Sequence, residues 1–185
     1  MSDLVIHALS VGEGILAITS LPGRGGDYAG DIAHIREWKP GLVLSMTTDA
    51  EMESAQAVTL GGDVQTAGSR WVHLPIQNYG APPNDVLALW PQASEAAVAT
   101  LKGGGRVLLH CRGGCGRSGM IVLRLMIEVG EAPLDAFARL RAVRNCAIET
   151  EAQMAWATDA RFESDTLKPM NKADYPVFHA HPRGE

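Results

Sequence analysis

Two textures of apolar residues alternate along the chain. Short runs rich in valine, isoleucine and leucine, ILAITSL (15–21), LVLSMT (42–47), WVHLPI (71–76) and RVLLHC (106–111), have the length and composition of strands. Between them, stretches of helical character cover 28–38, 51–60 and 85–102. Pro91 lacks the amide donor that a helix interior uses, so it is expected to bend or restart the third of these. Beyond residue 111 the texture changes: SGMIVLRLMIEV (118–129) is apolar nearly all round, which predicts a helix buried on most sides, running through the middle of the domain. Pro133 suits the first turn of the next helix, PLDAFARLRAVR, which has one apolar face and one arginine-bearing face. Thr150 followed by Gln153 is a capping-box signal for a last helix near 150–162. From Ser164 on, periodicity is lost. Strands interleaved with helices predict an α/β fold: a single domain over 1–163, built on a central, mostly parallel sheet of about four or five strands flanked by helices, with a C-terminal tail over 164–185. No internal repeat or low-complexity block interrupts it.

Composition narrows the class. A chain of 185 residues, 46% hydrophobic and 20% charged, is long enough for one sizeable core. No apolar run approaches the roughly 18 to 20 residues that a membrane span needs. MSDLVIHALS lacks a positively charged segment followed by a long apolar one, so no secretory signal is read and a cytoplasmic location is the expectation. No membrane partner is therefore expected, and with a formal net charge of -5 no nucleic acid is expected either, so any anion site has to be local. Three cysteines, Cys111, Cys115 and Cys146, cannot all pair and match no zinc spacing, so reduced thiols in a reducing compartment are expected. Oligomeric state leaves no mark in the pattern.

The chemistry concentrates in HCRGGCGRSG, His110 to Gly119, which has two registers. Counted from Gly114 it contains GxGxxG, the dinucleotide pattern, and it does lie between a strand and a helix. A dinucleotide site also wants an acidic residue about 20 positions on, after a second strand, and the region around Asp135 is helical in pattern. The Walker A pattern fails as well, because it requires a lysine where this loop has Arg117. Counted from Cys111, the stretch is a thiol, then Arg112, Gly113, Gly114, Cys115 and Gly116, then Arg117 and Ser118. The glycines let the chain curl so that successive amides point inward, and the next helix adds unpaired amides and the positive end of its dipole. Arg117 would offer a fork of donors matched to two phosphate oxygens. The same field favours thiolate over thiol at Cys111, and Ser118 could hydrogen-bond to that sulfur when it becomes a leaving group. This register accounts for the glycines, Arg117 and Ser118 together. The bland alternative makes Cys111 a buried small hydrophobe and Ser118 a helix cap.

HCRGGCGRSG also matches HCxxGxxR[ST], and so resembles the signature loop of the cysteine-dependent protein tyrosine and dual-specificity phosphatases. LPG at Leu21, HLPI at His73 and AIET at Ala147 fall in the order and spacing of the kinase-associated, dual-specificity-like members, over about 15–162. The resemblance implies a phosphocysteine mechanism with Cys111 as nucleophile and Arg117 as phosphate clamp. In it Ser118 assists thiolate departure, His110 supports the loop from behind, and the amides of Arg112, Gly113, Gly114, Cys115, Gly116 and Arg117 hold the phosphate. It implies no metal and no cofactor, since Arg117 and the amides stabilise the developing charge. The substrate would be a phosphorylated protein or a small phosphate ester.

One position departs from the family pattern. Related phosphatases carry an aspartate as general acid two residues after the Pro-Ile pair, where this chain has Asn78. An amide cannot donate a catalytic proton as a carboxylic acid can. Asp85, in the same proline-rich loop, is the preferred substitute, although Asn84 and Asp85 also look like a helix cap and first-turn acid. Asp49, just past LVLSMT, is a weaker candidate. Without a proton donor, the chain would be a phosphate-binding module with weak turnover, and sulfur transfer through a loop cysteine is a third possibility. Cys115 could resolve an oxidised Cys111 as a disulfide, or be a small residue on the loop exterior. His73 reads as a structural histidine, Trp38, Trp71, Trp90 and Trp156 as packing residues, His179 and His181 as a poor metal pair, and Arg24 and Arg112 as surface charge or pocket-mouth cations.

Overall fold

The computed structural model describes residues 4–159 and 170–178. The strands β1 (His7–Val11), β2 (Gly14–Thr19), β3 (Leu42–Ser45), β4 (Arg70–His73) and β5 (Arg106–His110) form one sheet in the order β1-β2-β5-β3-β4. β1 pairs antiparallel with β2, and the other pairings are parallel. The four expected strands are all present. β1 is additional: Val11 pairs with Gly14 across a tight turn in which Gly12 takes φ 58, a left-handed conformation that glycine adopts without steric penalty.

Helices cover both faces: α1 (Tyr28–Trp38), α2 (Asp49–Ser54), α3 (Leu60–Thr66), α4 (Asn84–Lys102), α5 (Gly116–Val129), α6 (Pro133–Val143) and α7 (Glu151–Thr158). Side chains alternate across the sheet as the pleat dictates. Leu16, Ile18, Leu42, Leu44, Val107 and Leu109 join the core beneath α4 to α7, while Ala17, Val43 and Leu108 join the core beneath α1 to α3. Burial of each such aliphatic chain is worth about 1.5 to 3 kcal/mol. α5 is buried on nearly every side, as its composition requires, because it packs against α4, α6 and α7 as well as the sheet.

The helix expected over 51–60 ends at Ser54, and a separate helix, α3, begins only at Leu60. Gln56 takes φ 54 and Ala57 N–H returns to the Met52 carbonyl at 2.8 Å, a left-handed reversal that stops α2 before α3 begins. α4 runs as one element through Pro91, which lies on its exposed side. Thr150 caps α7 by accepting from Gln153 N–H. The far end of that expected helix, and His179 and His181, lie outside the described residues. Within the stretch read as a tail, Met170 is buried, Tyr175 and Phe178 pack on the α4 to α7 core, and the Tyr175 hydroxyl meets Thr158 Oγ1 at 3.0 Å. Among the described residues no helix is long and apolar enough to cross a membrane.

Candidate active site

β5 lies between β2 and β3, so the residues leaving its C-terminal end emerge from the middle of the sheet. His110 ends the strand, Cys111 follows, and α5 begins at Gly116. The loop between them is held from outside by Arg144, which donates to the carbonyls of Gly113 at 3.0 Å and Gly114 at 2.8 Å. With those carbonyls turned outward, the peptide N–H groups are left for the concave side. Gly114 takes φ 66, and a Cβ there would stand 2.7 Å from the Thr19 carbonyl oxygen, so both conformation and space require glycine. Gly113 faces open space.

Arg117, in the first turn of α5, is only 1% exposed. It donates to both carboxylate oxygens of Glu51 at 2.7 Å, to the carbonyls of Ile76 at 2.8 Å and Met46 at 3.3 Å, and to Asn78 Oδ1 at 3.3 Å. Chain leaving the ends of β3 and β4 thus converges on one guanidinium. Burial opposes charge on Arg117, yet the Glu51 carboxylate and the neighbouring Cys111 raise its pKa on balance. Burial likewise pushes the Glu51 carboxyl up, and the hydrogen bonds from Arg117 and from Thr48 outweigh it, holding Glu51 below its ordinary value. Arg117 Nε, Ser118 Oγ and His110 Nδ1 are buried here with no hydrogen-bond partner among the described residues. Orphaned buried donors beside a thiol and an amide-lined curl suit an oxyanion.

His110 lies wholly within the core, with Nε2 at 2.6 Å from Ser45 Oγ, which also accepts from Trp71 Nε1 at 2.8 Å. Burial pushes its pKa down to about 3, so the ring under the loop is neutral at neutral pH. Cys111 is a free, buried thiol. The expectation of three reduced thiols is corrected: Cys115 and Cys146 form a disulfide, with Cα atoms 5.3 Å apart. Cys115 therefore turns outward, toward the α6–α7 connection, and not toward Cys111 beneath the loop.

Asn78 reaches the site through its contact with Arg117. Asp85 is exposed in the first turn of α4, its carboxylate accepting from Val86 N–H at 3.0 Å, and no hydrogen bond joins it to the loop among the described residues. Asp49 is 88% exposed and lies 3.9 Å from His73, whose Nε2 donates to the Thr47 carbonyl at 2.7 Å. Trp90 and Trp156 pack edge to face at 5.1 Å, and Arg24 and Arg112 are exposed.

Several residues in contact with the loop were not singled out in the sequence. Glu51 carried a visible signal, the T-x-x-E capping box that Thr48 and Glu51 do form, but its pairing with Arg117 is a long-range contact. Arg144 reads as one more arginine on the α6 face. Glu149 stands inside AIET, and its carboxylate accepts from Gly116 N–H at 2.9 Å.

Comparisons with known proteins agree with this geometry. Residues 14–157 match the family model described as PTP-SAK, Swiss Army Knife protein, DSP-PTPase phosphatase domain. No curated protein matches the chain. Among solved structures, the chain is similar to kinase associated phosphatase carrying serine for its catalytic-site cysteine, at 22% identity and TM-score 0.74, over 85% of this chain and 93% of that one. It is similar also to Tk-PTP in its active form, at 23% identity and TM-score 0.61 over 76% and 87% of the two chains. Human DUSP28 matches at 19% identity and TM-score 0.57 over 85% and 91%. The family model spans β2 to β5, the loop after β5 and all but the last residue of α7, and the chain accordingly belongs to the DSP-PTPase family of protein tyrosine and dual-specificity phosphatases.

Proposed function

We propose that the protein hydrolyses phosphomonoesters, phosphotyrosine or mixed phosphoprotein substrates, through a phosphocysteine. Cys111 sulfur attacks phosphorus, the sulfur–phosphorus bond forms as the phosphorus–oxygen bond breaks, and the leaving oxygen takes a proton. Arg117 and the amides of Arg112, Gly113, Gly114, Cys115 and Arg117 hold the three remaining oxygens, a role a metal ion fills elsewhere, while the Gly116 amide is taken by Glu149. Water then attacks the phosphocysteine, and Ser118 donates a hydrogen bond to the departing sulfur while neutral His110 supports the strand end. The observation carrying this reading is the meeting of a free Cys111 with an Arg117 Nε and a Ser118 Oγ that are buried and unpartnered among the described residues. A cytoplasmic setting belongs to the same reading, and there the Cys115–Cys146 bond would form only as a transient or redox-sensing one.

A second reading has its own observation. Asn78 touches Arg117 from the position where relatives carry the acid, so a module that binds phosphorylated partners and turns them over weakly is the rival. Asp85 is the proposed proton donor to the leaving oxygen. Turnover of an activated aryl phosphate by the wild-type chain, abolished in Cys111→Ser, supports the enzyme and eliminates the pure binder. For phenyl phosphate, whose leaving group needs a proton, Asp85→Asn is expected to lower kcat by about 10² or more. An unchanged rate and basic pH limb would remove Asp85 from the mechanism.

A further inference from the structure

The disulfide of this chain enters the signature loop and leaves the nucleophile out. Cys115, at the start of α5 and two residues before Arg117, is bonded to Cys146 in the turn between α6 and α7, while Cys111 stays a free thiol. The same turn supplies a second hold on the loop. Arg144, two residues before Cys146, donates through Nε to the Gly114 carbonyl at 2.8 Å and through Nη2 to the Gly113 carbonyl at 3.0 Å. That Nη2 also stands 3.4 Å from Cys115 Sγ. Bond and guanidinium thus act together on the outside of the curl whose amides face inward. The pair is within reach of solvent: Cys115 and Cys146 are both half-buried and Asn145 beside them is exposed, whereas Cys111 is buried. Breaking this bond therefore changes the anion-binding loop itself.

We propose that the Cys115–Cys146 pair is a thiol–disulfide site that sets the affinity of the loop for oxyanions, tight when bonded and weaker once a protein dithiol has reduced it. This rests on the phosphatase reading for its ligand and goes beyond it, because Cys111 takes no part in the redox step. The more stable thiolate is the better leaving sulfur, and Cys115, between the Arg144 guanidinium and the N-terminus of α5, has the setting that favours thiolate. One thiolate of the dithiol attacks Cys146 Sγ, the sulfur–sulfur bond breaks, and its electron pair leaves on Cys115. The second sulfur of the dithiol then displaces Cys146. The dithiol ends as a disulfide, one of its protons passing to Cys146 and the other to solvent. Hydrogen peroxide reverses the change: Cys115 thiolate takes one oxygen as a sulfenic acid with loss of hydroxide, and Cys146 sulfur displaces that oxygen as water. Reduction adds a negative charge to the loop, and the new thiolate competes with the Gly113 carbonyl for Arg144 Nη2. Both effects oppose a bound phosphate.

The test compares the oxidised full chain with the same chain reduced by dithiothreitol and freed of it anaerobically, with tungstate as the oxyanion and isothermal titration as the readout. Thiol titration in denaturant identifies the two states, one free thiol against three. Both arms are repeated in Cys111→Ser, where oxidation of Cys111 cannot contribute. Expected is tungstate affinity lower by about tenfold in the reduced chain, in both backgrounds, and restored by peroxide in Cys111→Ser. Cys146→Ser, which cannot form the bond, should sit at the reduced value and ignore dithiothreitol. Replacing Cys115 by serine as well removes the thiolate and should recover part of the affinity. Affinities within about threefold of each other in the two states, or tighter binding after reduction, overturn the proposal. So does a reduced chain that has unfolded by circular dichroism, since the bond is then a structural staple. Failure of the phosphatase reading looks different: the wild-type chain would bind tungstate in neither state and show no Cys111-dependent turnover.

Discussion

Replacing Glu51 with glutamine removes one charge from a deeply buried ion pair and little else. Arg117 is 1% exposed and Glu51 17%, with the two groups in bidentate contact at 2.7 Å. The substituted glutamine would keep the size of the side chain and its N3 role in the capping box, where glutamine serves as glutamate does. Leaving one member of a fully buried pair uncompensated destabilises by about 3 to 5 kcal/mol. Arg117 retains the Met46 and Ile76 carbonyls and the Asn78 amide oxygen, so the loss falls at or below the lower end, about 2 to 3 kcal/mol. That is a large part of a typical stability of about 5 to 15 kcal/mol, and urea denaturation at pH 7 reads it as a lower midpoint at constant slope. The pH dependence has a definite sign. Glu51 has a lowered carboxyl pKa in the folded chain, so its contribution is complete above the ordinary value of 4.5 and is lost as pH falls from there through the folded value. The gap between wild type and Glu51→Gln should therefore be flat from about pH 6 to 8 and close below about 4.5. A difference under about 0.5 kcal/mol at pH 7, or one that persists undiminished at low pH, would falsify the view that a charged pair fastens Arg117.

Two further substitutions probe the loop. Gly114→Ala forces a side chain into φ 66 and against the Thr19 carbonyl, for a loss of about 1 to 2 kcal/mol from conformation alone and sharply weaker vanadate binding, whereas Gly113→Ala, facing open space, should bind vanadate as wild type does. Isothermal titration with vanadate separates the pair, and equal behaviour of both variants would show that the curl does not depend on Gly114. Cys146→Ser opens a cross-link between residues 31 apart, which corresponds to about 3 to 4 kcal/mol of chain entropy, so its denaturation midpoint should match that of the reduced wild-type chain and no longer respond to dithiothreitol.

Hydrophobic pattern and loop chemistry make much of this molecule legible in its sequence. The four parallel strands are readable because each is a short, largely apolar run, and α5 because its apolar character has no polar side. β1 escaped because it is an edge strand with alternating burial, so its five residues do not read as a continuous apolar run. The break between α2 and α3 escaped because it depends on a left-handed Gln56, a conformation that residue type does not announce. In the site, Cys111, Arg117 and Ser118 lie in one contiguous motif and could be read together. Glu51, Arg144 and Glu149 reach the loop from other elements, and only the fold juxtaposes them. The disulfide escaped for the same reason: Cys115 and Cys146 are far apart in sequence, and only the packing of α5 against the turn at Ala147 and Ile148, close enough that a Cβ on Gly119 would stand 2.8 Å from the Ala147 Cβ, brings them together.

Electrostatics gives the amide at position 78 a physical sense. Asn78 Oδ1 accepts from the same guanidinium nitrogen, Nη2, that bonds Glu51, so a carboxylate at that place would set a second anion on Arg117. Two carboxylates on one guanidinium would leave it with net negative surroundings and oppose the entry of a phosphate dianion. The amide supplies the same acceptor without the charge. The two carboxylates that meet this region come from different elements: Glu51 fastens Arg117 from α2, while Glu149 meets the loop through the Gly116 amide from the turn before α7.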